Sequence, residues 1–349
     1  MLKYVLRRLI QAIPAFAGIT LLSYFLMTAA PGGPESILLG DPRVTAQQRQ
    51  LLAQRLGVTD PWPIQYVRWL IGNDWQQFDM DGDGIADEPG QRKGILRGDF
   101  GYSLFSKRPV IDLISDRIPA TLELGVAALF TSVFLGVGTG IVAAVRHGHL
   151  FDNASRVVAV ILNAVPGFWL GLVLILVVGP FLNQNFGDSI GRCPTPQTAE
   201  QIRAGCPPVY NRLHLIVLPT LVLAAGGIAV FSRFMRASML DVIHQDYVRT
   251  AQAKGLSPRT IWFRHGARNA LIPIATFVGP AIAGLLGGAP ITERIFSWPG
   301  LGQLSVNAVF QQDYPVVMAV VIIASIGTIL GFILSDILYA VIDPRIRFN

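Results

Sequence analysis

Six apolar runs, each long enough to cross the roughly 30 Å hydrocarbon core of a bilayer as a helix, dominate what this chain can fold into. They lie at Leu9 to Ala30, Thr121 to Val145, Val157 to Phe181, Leu215 to Phe234, Leu271 to Ile291 and Val316 to Val341. Only 14% of the 349 residues are charged, against about 25% in soluble domains. The fold class that follows is an all-α membrane protein with six transmembrane helices. A formal net charge of +6 would suit nucleic acid, but basic residues beside apolar spans report orientation and anionic lipid, so membrane lipid is an expected partner and nucleic acid is not.

The flanking cations set the orientation. Lys3, Arg7 and Arg8 precede the first run, Arg146 and Arg156 bracket the second connection, and Arg233, Arg236, Arg249, Lys254, Arg259, Arg264 and Arg268 crowd the exit of the fourth. Arg345 and Arg347 follow the last. All fall on one side of a six-span chain, which the positive-inside rule makes cytoplasmic, with both termini inside. The first run imitates a signal peptide, with its basic start and Ala29-Ala30, but it is too long for an h-region and predicts an uncleaved span.

The long first connection, about 31–119, is expected to be an extracytoplasmic cap and not a separate domain. Within it Thr45 to Leu56 has a helical pattern with Leu51, Leu52 and Leu56 on one face, Pro61-Trp62-Pro63 reads as a breaker, and Ile64 to Ile71 forms a second short apolar piece. Gly136, Gly138 and Gly140, Gly167 with Gly171, and Gly284 with Gly288 offer smooth helix surfaces, read as close packing in one bundle, with a pathway wall or dimer seam as the other reading. Pro166 in the third run and Pro273 and Pro280 in the fifth read as fixed kinks, or as bends that move. Asp336 is the one carboxylate within a span and is close enough to its end to reach interfacial water, which argues against proton coupling.

Between the fourth and fifth runs lies a polar, basic segment, 246–273. Lys254 closes a first short helix, Gly255 supplies the left-handed residue that ends it, and Ser257-Pro258 reads as N-cap and first position of a second. The product is a stiff elbow at the membrane surface, which merely holding lipid headgroups would not require.

The elbow's residues Asp246-Tyr247-Val248-Arg249-Thr250-Ala251, Ala253-Lys254-Gly255-Leu256, His265, Arg268-Asn269-Ala270-Leu271 and Pro273 resemble the coupling loop of ABC-importer permeases of the dipeptide and oligopeptide class. Arg249-Thr250-Ala251 stands where the general family loop carries Glu-Ala-Ala, a departure that looks like the peptide branch. The likeness covers nearly the whole chain: Tyr4 to Leu9 with Pro31-Gly32-Gly33-Pro34, Arg97 to Leu104, Arg117 to Leu124, Phe296 to Gly302, Asp313-Tyr314-Pro315 and Asp343-Pro344-Arg345 are similar to the family's motifs in order.

The resemblance implies a type I importer permease fold in the cytoplasmic (inner) membrane, multi-pass, working with a second homologous permease subunit, two ATPase subunits and an extracytoplasmic solute-binding protein on a peptide substrate. Asp246, Tyr247, Val248, Arg249, Thr250, Ala251, Ala253, Lys254, Gly255 and Leu256 would couple to an ATPase, with Tyr247, Val248 and Leu256 as contact surface. The chain is divided as 1–30, first span; 31–119, outer connection with an acidic insertion at 74–96; and 120–349, permease core with coupling loop 241–270 and outside loop 182–213. No Gly-x-x-x-x-Gly-Lys-Ser/Thr loop occurs, so the chain is expected not to be an enzyme and to hold no cofactor, ATP and Mg being bound by the partner ATPases. The five histidines, His147 and His149 among them, lack zinc-ligand spacing.

Two insertions depart from the family. Asp79, Asp81, Asp83 and Asp87 with Gly84 match the opening of a calcium loop but Gly90 stands where the bidentate Glu would be, leaving calcium binding and a solvated acidic loop both open. Cys193 and Cys206, the only cysteines, share a Pro-rich outer loop that favours a disulfide over a metal or redox pair. Nickel chelates, glutathione or oligosaccharides are alternative cargoes on the same architecture. A stand-alone secondary transporter or channel would need midplane ionisable groups, and a membrane hydrolase more than His214 at a boundary.

Overall fold

A computed structural model describes residues 2–29, 60–78, 88–90, 93–187, 190–192 and 212–342. Among these, five helices are long and apolar enough to cross a membrane, and a bent pair makes a sixth span. The elements are α1 (Leu2–Ala29), α2 (Trp62–Ile71), the ribbon of β1 (Gln77–Phe78) and β2 (Glu88–Pro89), α3 (Val110–Val145), α4 (Leu150–Ala164), α5 (Gly167–Phe186) and α6 (Leu213–Ile243). Then come α7 (Asp246–Ala253), a wide-turn π segment (Thr260–Gly266), α8 (Ala267–Ala270), α9 (Ile272–Ala283), α10 (Pro290–Ile295), α11 (Leu301–Phe310) and α12 (Tyr314–Ile342). The two-residue strands pair antiparallel, Gln77 with Pro89 and Phe78 with Glu88.

Three expectations about the elements are corrected. The third run is two helices, because Pro166 has no N–H to give and Val165 before it is extended at ψ 125°; α4 ends there and the span is α5 alone. The fifth span bends by 49° where α8 meets α9 at Leu271, with Pro273 in the first turn of α9, so it is broken at its root and not continuous. Pro61-Trp62-Pro63 does not merely break structure: it opens α2, with Pro63 in the first turn, where the missing donor would be unpaired anyway.

The chain falls into two compact units: Met1–Arg8 with Ile118–Gln303 and Ile326–Asn349, and Leu9–Arg117 with Leu304–Ser325. In the first, α3 meets α6 at backbone distance. A Cβ on Gly136 would sit 2.6 Å from Phe231 Cβ, and one on Gly140 2.7 Å from both Met235 Cβ and the Ser232 carbonyl. Gly227 returns the contact from α6, where a Cβ would meet Ser132 Oγ at 2.5 Å. These glycines are helix-packing surface, as small residues are in membrane interiors where apolar burial drives nothing. Gly138 has nothing within 4 Å of its Cβ position and is not part of the seam.

In the second unit, the aromatic face of α2 lies on α1. Tyr66 OH and Thr20 Oγ1 are 2.9 Å apart, and Tyr24 packs on Tyr66 and Trp69 with ring centroids 5.6 and 5.2 Å away. Arg97 ties the segment after the ribbon to the end of α2 by donating to the Ile71 carbonyl (2.6 Å) and to Asp74 (2.5 Å). That bond holds the Asp74 carboxyl below its usual range.

Candidate coupling site and the buried polar clusters

The elbow is built as its sequence implies, with one addition. α7 runs from Asp246 to Ala253, and its end forms a Schellman motif: Gly255 N–H donates to the Gln252 carbonyl (2.9 Å) and Leu256 N–H to the Ala251 carbonyl (3.4 Å). Gly255 has φ +70°, a conformation that a Cβ disfavours. Ser257 Oγ accepts from Thr260 N–H (3.4 Å), and the chain turns helical again at Pro258. The addition is the π segment Thr260–Gly266, seven residues in which the helix widens before it tightens into α8. Nothing in a 3.6-residue periodicity signals that widening.

Val248, Ala251 and Ile261 form a buried cluster, with Val242 and Trp262 packed on it. Val248 is fully buried, so it is not contact surface as the sequence suggested; it is the peg that fixes α7 to the end of α6 and to the π segment. Burying a valine and its neighbours stabilises this seating by about 1.5–3 kcal/mol per large apolar side chain. The exposed face carries Asp246, Tyr247, Arg249, Thr250, Ala253, Lys254, Gly255 and Leu256. Asp246 and Arg249 make a loose pair at 3.6 Å in open water, which contributes little.

Beneath the elbow, Ile141 and Ala144 of α3, Phe231, Met235 and Met239 of α6, Ala267 and Ala270 of α8 and Ile274 of α9 pack as one buried cluster. A displacement of α7 is therefore passed to three spans through close-packed side chains, which transmit strain because they have no free volume to absorb it.

Beside this root is a polar cluster that sequence reasoning missed. Asp152, at the start of α4, is buried, and Arg236 of α6 donates to it twice, through Nε (2.5 Å) and Nη2 (2.8 Å). Gly148 N–H adds a third bond at 3.0 Å, and Arg156 Nε lies 3.8 Å away. The Arg236 bonds hold the Asp152 carboxyl well below the ordinary carboxylate range, outweighing burial, and Gly148 assists. Arg236, which by sequence counts as one more flank cation, clamps the α3–α4 connection onto α6. The available signal was Asp152 as a lone acid among Arg146, His147, His149 and Arg156.

At the other ends of α3 and α6, Glu123 accepts from Arg192 (3.0 Å) and Arg212 (3.0 Å). Nearby in the same unit, Glu293 of α10 is buried with both oxygens engaged: Ala289 N–H at 3.2 Å and Thr121 Oγ1 at 3.4 Å on one, Gln303 N–H at 2.7 Å on the other. Trp298 Nε1 donates to the Ala120 carbonyl (2.8 Å), so the turn from α10 to α11 is fastened to α3. A cavity of about 220 Å³ opens beside Glu293, walled by Leu124, Gly125, Leu223, Pro280 and Leu285.

Asp79, Asp81, Asp83, Asp87, Cys193, Cys206 and the helix expected at Thr45 to Leu56 lie outside the described residues, as does the side chain of Asp336. The phenyl ring of Phe186 lies against the His214 imidazole, with centroids 5.7 Å apart.

Six spans, backbone-close packing between them and a capped polar elbow rooted in three of them define a multi-pass helical membrane permease. The chain belongs to the family described as binding-protein-dependent transport system inner membrane component, which matches residues 136–348, while the N-terminal component of the same family matches residues 1–125. Among its relatives are the oligopeptide transport system permease protein AppB of Bacillus subtilis, 37% identical over 100% of both chains, and the dipeptide transport system permease protein DppB of Escherichia coli, 35% identical over 99% of both. The glutathione transport system permease protein GsiC of Escherichia coli is 35% identical over 100% of both. In structure the chain is similar to an inward-facing form of the MetNI methionine ABC transporter, with a TM-score of 0.51 and 17% identity over 67% of this chain and 97% of that one. That similarity gives a type I importer permease fold.

Proposed function

We propose that this permease imports small peptides as one membrane subunit of an ATP-driven transporter, and that α7 is the coupling helix seated in an ATPase subunit. Two ATPase subunits bind ATP and Mg, a second homologous permease completes the pathway, and an extracytoplasmic solute-binding protein delivers the peptide. The subunit lies in the cytoplasmic (inner) membrane with both termini inside, in keeping with the Lys and Arg of its short flanks. It divides into the first span (1–30), an outer connection (31–119) and the permease core (120–349). The peptide class follows from full-length relatives named for oligopeptide, dipeptide and glutathione transport.

The observation that carries the coupling role is the elbow's construction. α7 is closed by Gly255 at φ +70° and pegged by the buried Val248, so it moves with the spans below it and not on a slack loop. Its exposed Arg249 and Lys254, with Arg259, suit acidic groups on an ATPase. The cavity beside Glu293, walled by the second, fourth and fifth spans, belongs to the path between the two permeases.

Gly255→Val tests this in the reconstituted transporter. A β-branched residue forced to positive φ costs about 1–3 kcal/mol, enough to unwind the end of α7. The variant is expected to insert and assemble, yet to lose solute-stimulated ATPase activity and uptake. Full stimulation in an assembled Gly255→Val complex would refute the assignment. Ligand identification on the cognate binding protein tests the peptide class.

A further inference from the structure

We propose that the turn 101–110 is a docking knuckle for the solute-binding protein, with Tyr102 and Phe105 as its anchors. The inference rests on the proposed function and deepens it by giving the delivering protein a surface on this chain.

The turn is held from both sides. Val110 N–H donates to the Gly101 carbonyl and Ser103 N–H to the Arg108 carbonyl, both at 2.9 Å. Asp313, almost completely buried in the connection before α12, reaches the turn from 210 residues away in the chain. One of its oxygens accepts from Leu104 N–H (3.0 Å), the other from Ser103 Oγ (2.5 Å) and Phe105 N–H (3.4 Å). Ser103 Oγ in turn accepts from Ser106 N–H at 2.8 Å.

This scaffold buries Ser103 and Val110 but presents large rings to solvent: Tyr102 is 66% and Phe105 67% exposed. Leaving two aromatic rings in water on a backbone so fully bonded is the arrangement of a preformed interface anchor, which has little conformational entropy left to lose on binding. Lys107, at φ 58°, and Arg108, which shares its charge with Asp116 at 3.0 Å, put positive charge beside the rings.

Aromatic rings next to cations also suit a lipid headgroup layer, but the turn stands too far out for that. It leads directly into α3, whose 36 residues are about 54 Å long at 1.5 Å per residue. About 20 residues cross the hydrocarbon core, and counting back from Val145, which Arg146 follows, brings the outer boundary to about Val126. The remaining length carries Asp112, Asp116, Arg117 and Glu123 and holds the turn about 24 Å beyond that boundary, whereas headgroups extend only about 5–8 Å. The occupant is therefore a water-borne protein offering an apolar pocket rimmed by carboxylates.

The test uses the whole transporter in nanodiscs and its cognate binding protein, with affinity measured by surface plasmon resonance and ATPase activity followed in parallel. Phe105→Ala is expected to weaken binding at least tenfold, Phe105→Tyr to restore it, and Lys107→Gln to weaken it several-fold and flatten its dependence on salt. ATPase activity without binding protein should be unchanged in all three. If the Tyr102→Ala/Phe105→Ala double variant binds like the wild type, the knuckle is refuted while the proposed function stands. If Phe105→Ala instead sheds the second permease from the purified complex, the rings belong to that contact and the inference is overturned. A wild-type complex that engages no binding protein overturns both.

Discussion

Replacing Asp152 by alanine strands the Arg236 guanidinium against a wall built to receive a carboxylate. The Asp152 side chain is 1% exposed and that of Arg236 18%, so water reaches the arginine but cannot replace two directed bonds. Breaking a buried pair from one side costs about 3–5 kcal/mol, and the residual access of Arg236 places this site near about 3. At about 2 °C per kcal/mol for a chain of this size, apparent melting should fall by about 6 °C. Removing both charges, as Asp152→Leu with Arg236→Met, leaves no orphan and should recover most of the loss, since such replacements are often neutral.

The pH dependence follows from the depressed carboxyl. Its contribution is fully present above the unfolded-state value, near 3.9, and is lost as the pH falls through the lower folded-state value. Between pH 5 and 8 the gap between wild type and Asp152→Ala should therefore stay constant. Intrinsic-fluorescence melting of the purified complex in detergent reads all three proteins. An Asp152→Ala variant that melts with the wild type, or a double variant that melts lower than either single one, would refute the clamp.

The seam between α3 and α6 predicts a contrast between neighbouring glycines. Gly140→Leu would drive a side chain into Met235 and the Ser232 carbonyl and should abolish the folded yield, whereas Gly138→Leu meets open space and should express and melt as the wild type does, both read by size-exclusion recovery. Cys193 and Cys206, proposed as a disulfide, should both resist alkylation in denatured, unreduced protein and react after reduction, with about 2–3 kcal/mol of stability lost at that point. For the acidic loop, calcium at Asp79, Asp81, Asp83 and Asp87 should raise the melting temperature of the wild type but not of an Asp81→Asn/Asp83→Asn variant; equal melting of the wild type with calcium and with chelator refutes the site.

What the sequence made legible was local or periodic. The spans follow from run length, because hydrocarbon leaves a backbone no option but internal bonding. The elbow follows from Gly255 and Ser257-Pro258, since a helix stop and start each depend on residues within one turn of themselves. Where proline was read, its effect was understated: Pro166 does not bend a helix but separates two, a difference set by whether neighbouring groups can satisfy the freed carbonyls.

Charge partners were legible only as charges. Arg236 and Asp152 are 84 residues apart, and Arg236 looks in sequence like Arg233, although one is committed to a buried carboxylate and the other bonds a carbonyl of its own helix, Ala229, at 3.2 Å. The distinction matters for mechanism. With Arg236 engaged, the basic surface left for an ATPase is confined to the elbow, and the clamp instead stiffens α6 one turn above the helix end on which Val248 is pegged. A lever needs a rigid arm as well as a contact face. The elbow's sequence advertises the face, while the arm is made by a pair that only the folded chain brings together.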